Sequence, residues 1–322
     1  MSTVTVVGEV VLDRIIQDSQ QHDVLGGSAA NTALALVRAG HHVDLRARFG
    51  SDAAGQFLKA TAESLGIDVR NSIDAVERAT VVEARIDSSG VPSFMFDLDN
   101  TSDWFWTSEE LAKPLALDTV AITTGSPASI ASPGFTALID WVHRQKSAGT
   151  PFFYDPNIRP SVIAPLQLQT VARDRILEWV KLADVVKASD EDLNWLDPSA
   201  DASQTAAHLS TLGPELVVLT QGGFGASAFH DGKQLCHVST PAVEVADTVG
   251  AGDTVMAWLI SGLSGQDRAT WSEQSTIEPV LSRAVQAAAY TCTQVGADPI
   301  FRDDLERFLA NSTKTNGFEP HQ

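Results

Sequence analysis

Basic residues are scarce in this chain: 22 Lys and Arg stand against 41 Asp and Glu, a formal charge of −19. A surface of that sign repels a phosphate backbone, and no basic cluster interrupts it, so no nucleic acid partner is expected. Cysteine is scarcer still. Cys236 and Cys292 are the whole complement, too few for a disulfide scaffold and wrongly spaced for a metal site, which suits a reduced compartment. No apolar run reaches the roughly 18 residues of a membrane span. Met1–Gly8 passes straight into a strand-like run without a charged leader, so the expectation is a cytoplasmic protein with no membrane partner. A dinucleotide fingerprint is also missing. The first strand leads into Gly8-Glu9-Val10-Val11, not a Gly-x-Gly-x-x-Gly turn, which argues against an oxidoreductase.

What is present is ample for a large core: 43% of 322 residues are hydrophobic. Short apolar runs of β type alternate with helical patterns. Strands are expected at Val4–Val7, His42–Phe49, Thr119–Thr123, Pro151–Tyr154, Asp184–Lys187, Glu215–Thr220 and Ala226–His230. Helices are expected at Ala29–Ala39, Ala53–Leu65, Gln169–Leu182, Ala202–Leu212, Gly250–Leu263 and Leu281–Val295. Such alternation predicts an α/β fold, a mostly parallel sheet covered by helices on both faces. Two stretches break the rhythm. Val10–Val24 has mixed polarity without a helical period, and Thr80–Asp99 reads as a hairpin around Ser88-Ser89-Gly90. They predict a small β-sheet lid, with segments at about 10–24 and 80–99, on one domain spanning 1–310. Residues 311–322 are polar and expected to fray.

The strongest chemical signal is Asp247-Thr248-Val249-Gly250-Ala251-Gly252-Asp253-Thr254, which runs into the apolar helix Val255–Leu263. A Gly-Ala-Gly turn at a helix start exposes N–H groups and lets an anion approach closely. Asp253 lies beside that anion pocket, placed to accept a proton from an attacking hydroxyl. A helix N-terminus weakens a carboxylate as a base, yet in a loose phosphoryl transition state orienting the nucleophile outweighs basicity. The competing reading is a plain helix cap with a close-packed turn. A second signal is Gly26-Gly27-Ser28-Ala29-Ala30-Asn31, where small residues admit a ligand to the backbone and Asn31 can both donate and accept. Gly-rich turns are common, so alone it is weak. Asp13, just after the first strand, can take two neighbouring hydroxyls; otherwise it is a solvated surface acid.

Together these residues resemble the PfkB (ribokinase-like) carbohydrate kinase family. Gly-Gly-x-x-x-Asn and Asp-Thr-x-Gly-Ala-Gly-Asp occur in that family's order and separation. Gly50-Ser51-Asp52-Ala53-Ala54-Gly55 and Thr220-Gln221-Gly222-Gly223-Phe224-Gly225 match two further family loops. The resemblance covers nearly the whole chain. It implies a ribokinase-like three-layer α/β/α sandwich with a β lid, an ATP-dependent sugar kinase, and Mg²⁺. It implies Asp253 as catalytic base, Gly250, Ala251 and Gly252 as the anion hole, and Asp13, Gly27 and Asn31 as sugar ligands. The nucleotide would meet the Thr220, Gly222 and Gly225 loop together with Ser189. The family's Asn-x-x-Glu falls on Ser189-Asp190-Glu191-Asp192, a departure that leaves open whether Glu191 or Asp192 orders the metal through water. A monovalent cation such as K⁺ would sit on carbonyls near Asp247, Val249 and Gly296. A homodimer through the lid follows by analogy with related kinases.

Tyr154-Asp155-Pro156-Asn157-Ile158-Arg159 and Val186-Lys187-Ala188-Ser189 resemble the fructokinase-like branch. Asp155, Asn157 and Arg159 follow a strand, at the edge where α/β sheets bind ligands. Arg159 can fork onto a phosphate or sugar oxygen, or form a structural ion pair with Asp155; Lys187 can reach the ATP phosphates. The aromatics of Trp104-Phe105-Trp106 can stack on a sugar or pack the lid. Fructose leads as substrate, with ribose and 2-keto-3-deoxygluconate as alternatives. From another class, a non-catalytic sugar-binding regulator is disfavoured by the intact Asp253 turn.

Overall fold

The computed structural model describes residues 2–17, 20–86 and 92–315. The Ser88-Ser89-Gly90 turn and residues 316–322 of the expected frayed tail lie outside them. The described strands, in chain order, are β1 (Thr3–Val7), β2 (Val11–Gln17), β3 (Gln20–Gly26), β4 (His42–Arg46), β5 (Arg48–Phe49), β6 (Ile73–Asp74) and β7 (Val81–Ile86). They continue with β8 (Pro92–Asp97), β9 (Thr119–Gly125), β10 (Phe152–Asp155), β11 (Val185–Ser189), β12 (Leu216–Thr220), β13 (Ala226–His230) and β14 (Lys233–Val238).

Eight strands form one sheet in the order β14-β13-β12-β11-β10-β9-β1-β4. Pairings from β4 to β12 are parallel, and β13–β14 adds an antiparallel hairpin at the edge. Side-chain alternation along these strands decides the layers. Val4, Val6, Phe153, Leu216 and Val218 enter one buried cluster, beneath the helices Ser28–Arg38, Ala251–Leu263 and Gln274–Thr291. Val7, Phe152, Tyr154, Val217 and Leu219 enter the other, beneath Phe135–Ser147, Ala172–Leu182 and Ala202–Leu209. Burial on both faces explains why the strands read as continuous apolar runs. The result is the expected three-layer α/β/α sandwich. No helix among the described residues is long and apolar enough to cross a membrane.

The second sheet has the order β3-β2-β7-β8, antiparallel except for a parallel β2–β7 pair. Most of β3 is exposed, which accounts for the mixed polarity of Val10–Val24. At the base of this sheet Asp103 is fully buried and accepts from the Val10 N–H at 3.0 Å and from the Thr80 hydroxyl. It thereby ties the roots of β2 and β7 together. Burial pushes its carboxyl up to about 7.

The larger departures from the sequence reading are these. The run His42–Phe49 divides, because Arg48–Phe49 leaves the main sheet to pair with Ile73–Asp74. The helix expected from Leu281 starts at Gln274, with Pro279 inside it, where the ring forfeits the bond to the carbonyl four residues earlier. The edge strand β14 is largely exposed and carries little apolar signal. The helix Arg302–Thr315 runs into the stretch expected to fray.

Candidate active site

Gly250 begins the turn in the left-handed region, φ 77°, and an ideal Cβ on it would stand 2.6 Å from the Ala297 Cβ. Only glycine closes this turn without strain. The N–H groups of Gly250, Gly252 and Asp253 meet no backbone acceptor among the described residues, whereas Ala251 N–H bonds to the Thr248 carbonyl at 3.3 Å. The expected three-amide cradle is therefore displaced: Gly250 and Gly252 keep free donors, Ala251 is engaged, and the amide of Asp253 joins the set.

Asp253 is 8% exposed. Ser28 Oγ donates to its Oδ1 at 2.6 Å, and Asn31 Nδ2 donates to its Oδ2 at 3.0 Å. Both donors lie at the start of the helix Ser28–Arg38, just after Gly27, whose φ of 96° turns the chain into that helix. The two glycine motifs, far apart in sequence, thus meet at one carboxylate.

That carboxylate lines a cavity of about 390 Å³ between the main sheet and the lid. Its polar wall includes Asp13, Asn31, Asn157, Arg159 and Lys187; Val11, Val82, Phe96 and Trp104 form apolar patches. The carboxylate of Asp13 has no partner among the described residues, and burial pushes it up to about 6. Two left-handed residues other than glycine, Ser126 (φ 60°) and Asn157 (φ 36°), stand on this wall. Such strain concentrates at functional sites. Trp104 is buried, donates from Nε1 to Thr101 Oγ1 at 2.8 Å, and lines the cavity.

Asp155 is placed otherwise than expected. It stands behind the wall, accepts from Asn157 N–H at 3.0 Å and takes the Lys187 ammonium at 2.6 Å. Burial lifts its carboxyl to about 6, with Lys187 opposing. Among the described residues Arg159 makes no ion pair, with Asp155 or any other acid; its guanidinium donates to the neighbouring Ile158 carbonyl at 3.3 Å.

A second cavity, about 200 Å³ and mostly apolar, lies on the other side of the turn. Thr220, Gly222 and Gly225 line it as expected, with Val243, Val255, Ala288 and Cys292. Lys187 faces the first cavity instead. Ser189 lines neither cavity; it is the N-cap of the helix Asp190–Leu196 and exchanges hydrogen bonds with Asp192 in a capping box. Both Asp192 oxygens are thereby committed, Oδ2 to Ser189 and Oδ1 to Ile158 N–H at 2.7 Å. Glu191 is exposed, with a carboxylate that has no partner among the described residues. Asp247 gathers its own loop, accepting from Thr248, Val249 and Gly296 N–H at 2.7, 3.1 and 2.9 Å. The three positions expected around a monovalent cation are therefore adjacent.

Two residues escaped the sequence reading. Ser28 lay inside a motif read for its glycines and Asn31. Glu9 follows the first strand by one residue, is 6% exposed and has one oxygen, Oε2, without a partner among the described residues. Burial raises its pKa, opposed by the Ser126 hydroxyl. Its place at a strand's carboxyl end was the available signal.

Residues 1–303 match the family described as pfkB family carbohydrate kinase. A fructokinase of Klebsiella pneumoniae is 30% identical over 310 residues, covering 94% of this chain and 98% of its own. A fructokinase of Vibrio alginolyticus is 28% identical over 300 residues, covering 92% and 95%. Among solved structures, a double-mutant fructokinase from Vibrio cholerae O395, bound to fructose, ADP and potassium ion, superposes with a TM-score of 0.82 at 28% identity. It covers 96% of this chain and 98% of that one.

Proposed function

Because the chain belongs to the pfkB family of carbohydrate kinases and is an ATP-dependent sugar kinase, we propose that its acceptor is fructose and that Asp253 is the catalytic base. One observation carries the assignment of roles: the polar and apolar cavities meet at the glycine turn, both lined by Thr248 and Gly252. A sugar in the first and a nucleotide in the second would face each other across free amides. The acceptor hydroxyl attacks the γ-phosphorus, the bond to the β–γ bridging oxygen breaks, ADP leaves, and the hydroxyl proton passes to Asp253. Ser28 and Asn31 fix the carboxylate's orientation, and the Gly250 and Gly252 amides meet the charge on the travelling group. Asp13, Asn31 and Asn157 supply hydroxyl partners, and the lid excludes water. The fructokinase relatives and the fructose in the Vibrio cholerae structure support this sugar.

A sugar acid such as 2-keto-3-deoxygluconate is the second reading, favoured by Arg159, which lines the cavity without a carboxylate partner among the described residues. No cluster of three metal-ligating side chains exists among the described residues, so Mg²⁺ would be held largely by ATP phosphates and water. Glu191 is the acid free to order those waters. The Asp247, Val249 and Gly296 loops suit a monovalent ion, as potassium ion is bound in the Vibrio cholerae enzyme. A homodimer formed through the lid sheet is the remaining proposal, and sedimentation would reveal it.

The test is ADP release with ATP and Mg²⁺ over fructose, ribose and 2-keto-3-deoxygluconate. Fructose should give the highest kcat/KM. A preference for the acid would move the assignment to the second reading, and binding without turnover of every sugar would make the protein a regulator. In Asp253→Asn, turnover should fall on the order of 1,000-fold or more while ATP affinity holds; near-normal turnover would refute the base.

A further inference from the structure

Gly252 lies close under the Lys187 ammonium: an ideal Cβ there would stand 3.0 Å from it, so a side chain would force the ammonium to give. Strand alternation explains how the ammonium arrives. Val186 and Ala188 enter the far layer, whereas Val185 enters the layer of the helix Ala251–Leu263, and Lys187 shares that face. In β10 the same rule puts Asp155 on the face of Phe153. The register pairs Phe153 with Val185 and Tyr154 with Val186; carried one residue further, it sets Asp155 beside Lys187. The ammonium lies 2.6 Å from Asp155 Oδ2, and the two side chains are 4% and 6% exposed.

A lysine this deeply buried sheds its proton unless nearby carboxylates hold it. Burial works against the charge of Lys187, but Asp155, Asp192 and Asp253 outweigh it and keep its pKa above the usual value. Asp155 does not line the sugar cavity, whereas Lys187 lines it beside Gly252 and Asp253.

We propose that Asp155 is a positioning residue acting through Lys187: it keeps the ammonium charged and pressed against the Gly250–Asp253 turn, where the transferred phosphoryl group gathers negative charge. The proposal rests on reading that turn as the site of phosphoryl transfer. The fructokinase-like pattern around Asp155 had suggested a sugar ligand instead, and the two roles separate cleanly in a double-mutant cycle.

Asp155→Asn should lower kcat on the order of 100-fold, leaving the fructose KM within about threefold of the parent value. Lys187→Met should do the same. The double variant should match Lys187→Met within about threefold, because Asp155 has no work left once the ammonium is gone. A sugar ligand would behave differently: the double variant would show a fructose KM about tenfold above Lys187→Met, and the proposal would fall. Should Asp155→Asn not fold, that last comparison decides alone, since the double variant removes both charges of the buried pair and leaves neither uncompensated. Calorimetry with a non-hydrolysable ATP analogue adds a readout independent of turnover. Both single variants and the double should lose analogue affinity equally, more than they lose ADP affinity; an Asp155→Asn variant that binds the analogue like the parent overturns the proposal. Failure of the parent to phosphorylate any sugar would defeat the functional reading and leave this binding comparison to judge Asp155.

Discussion

Asp13 faces the polar cavity with a carboxylate that no group among the described residues satisfies, and burial holds its pKa near 6. As a carboxylate it can take two neighbouring hydroxyls; once protonated it loses much of that accepting power. The kcat/KM for the sugar should therefore rise between pH 5 and 7 with an apparent pKa near 6, and Asp13→Asn should remove that limb while raising KM. An unchanged profile in the variant would assign the limb elsewhere. At this scale the sequence was informative where chemistry is local. Gly250 and Gly252 mark a tight helix-start turn by being small, and Asn31 and Asp253 stand out by their type, and the structure brings the two motifs together. Ser28 was not readable, because its role is a 2.6 Å bond to a residue 225 positions away. Asp155 was misplaced for a related reason: a residue at a strand end tells which edge it occupies, but only register tells that Lys187 stands before it.

The helix Ala251–Leu263 shows how one element serves stability and chemistry with opposing demands. Alanine at Gly252 would favour the helix by up to about 1 kcal/mol, but its methyl group would push against the Lys187 ammonium. Gly252→Ala is expected to unfold at an equal or higher temperature while kcat drops at least about tenfold. Calorimetric melting alongside steady-state kinetics checks both halves, and retained turnover would mean the ammonium has slack. Element boundaries were legible where a cap stood directly before an apolar helical pattern, as with Asp52, whose side chain accepts from Gly55 N–H at 3.0 Å. They were illegible where tertiary context overrode the local signal, as with Pro279 inside its helix and the exposed edge strand β14.

For the molecule as a whole, several carboxyls are buried that would titrate near 4 in the unfolded chain. Glu9 and Asp103 are raised by burial, Asp103 to about 7, and Asp13 and Asp155 to about 6. A raised folded pKa means the native state holds its proton more tightly, so the stability it contributes is complete below about pH 4 and disappears as pH climbs through the folded value. Carboxylates lowered by arginine partners, such as Asp23 and Asp97, act in the opposite sense but are mostly solvated, so their effect is screened. Urea midpoints should fall between pH 5 and 7.5, and Asp103→Asn should flatten that decline; a midpoint that climbs over this range would contradict the protonated interior. The layered fold itself was legible, since strands buried on both faces leave an unbroken apolar signature. The lid was only half so, because its strands face solvent on one side and the polar cavity on the other.

The lid's own construction has an evolutionary corollary. Its two hairpins leave the body at distant points of the chain and are knitted side by side through the parallel β2–β7 pair, registered from Leu12–Val81 to Gln17–Ile86. Asp13 comes from one excursion, Val82 and Phe96 from the other. Neither hairpin is a transferable module. Grafting acceptor preference from a cousin enzyme would require exchanging both excursions at once, and recombination with a single crossover between them would yield chimeras whose canopy is mismatched along its seam.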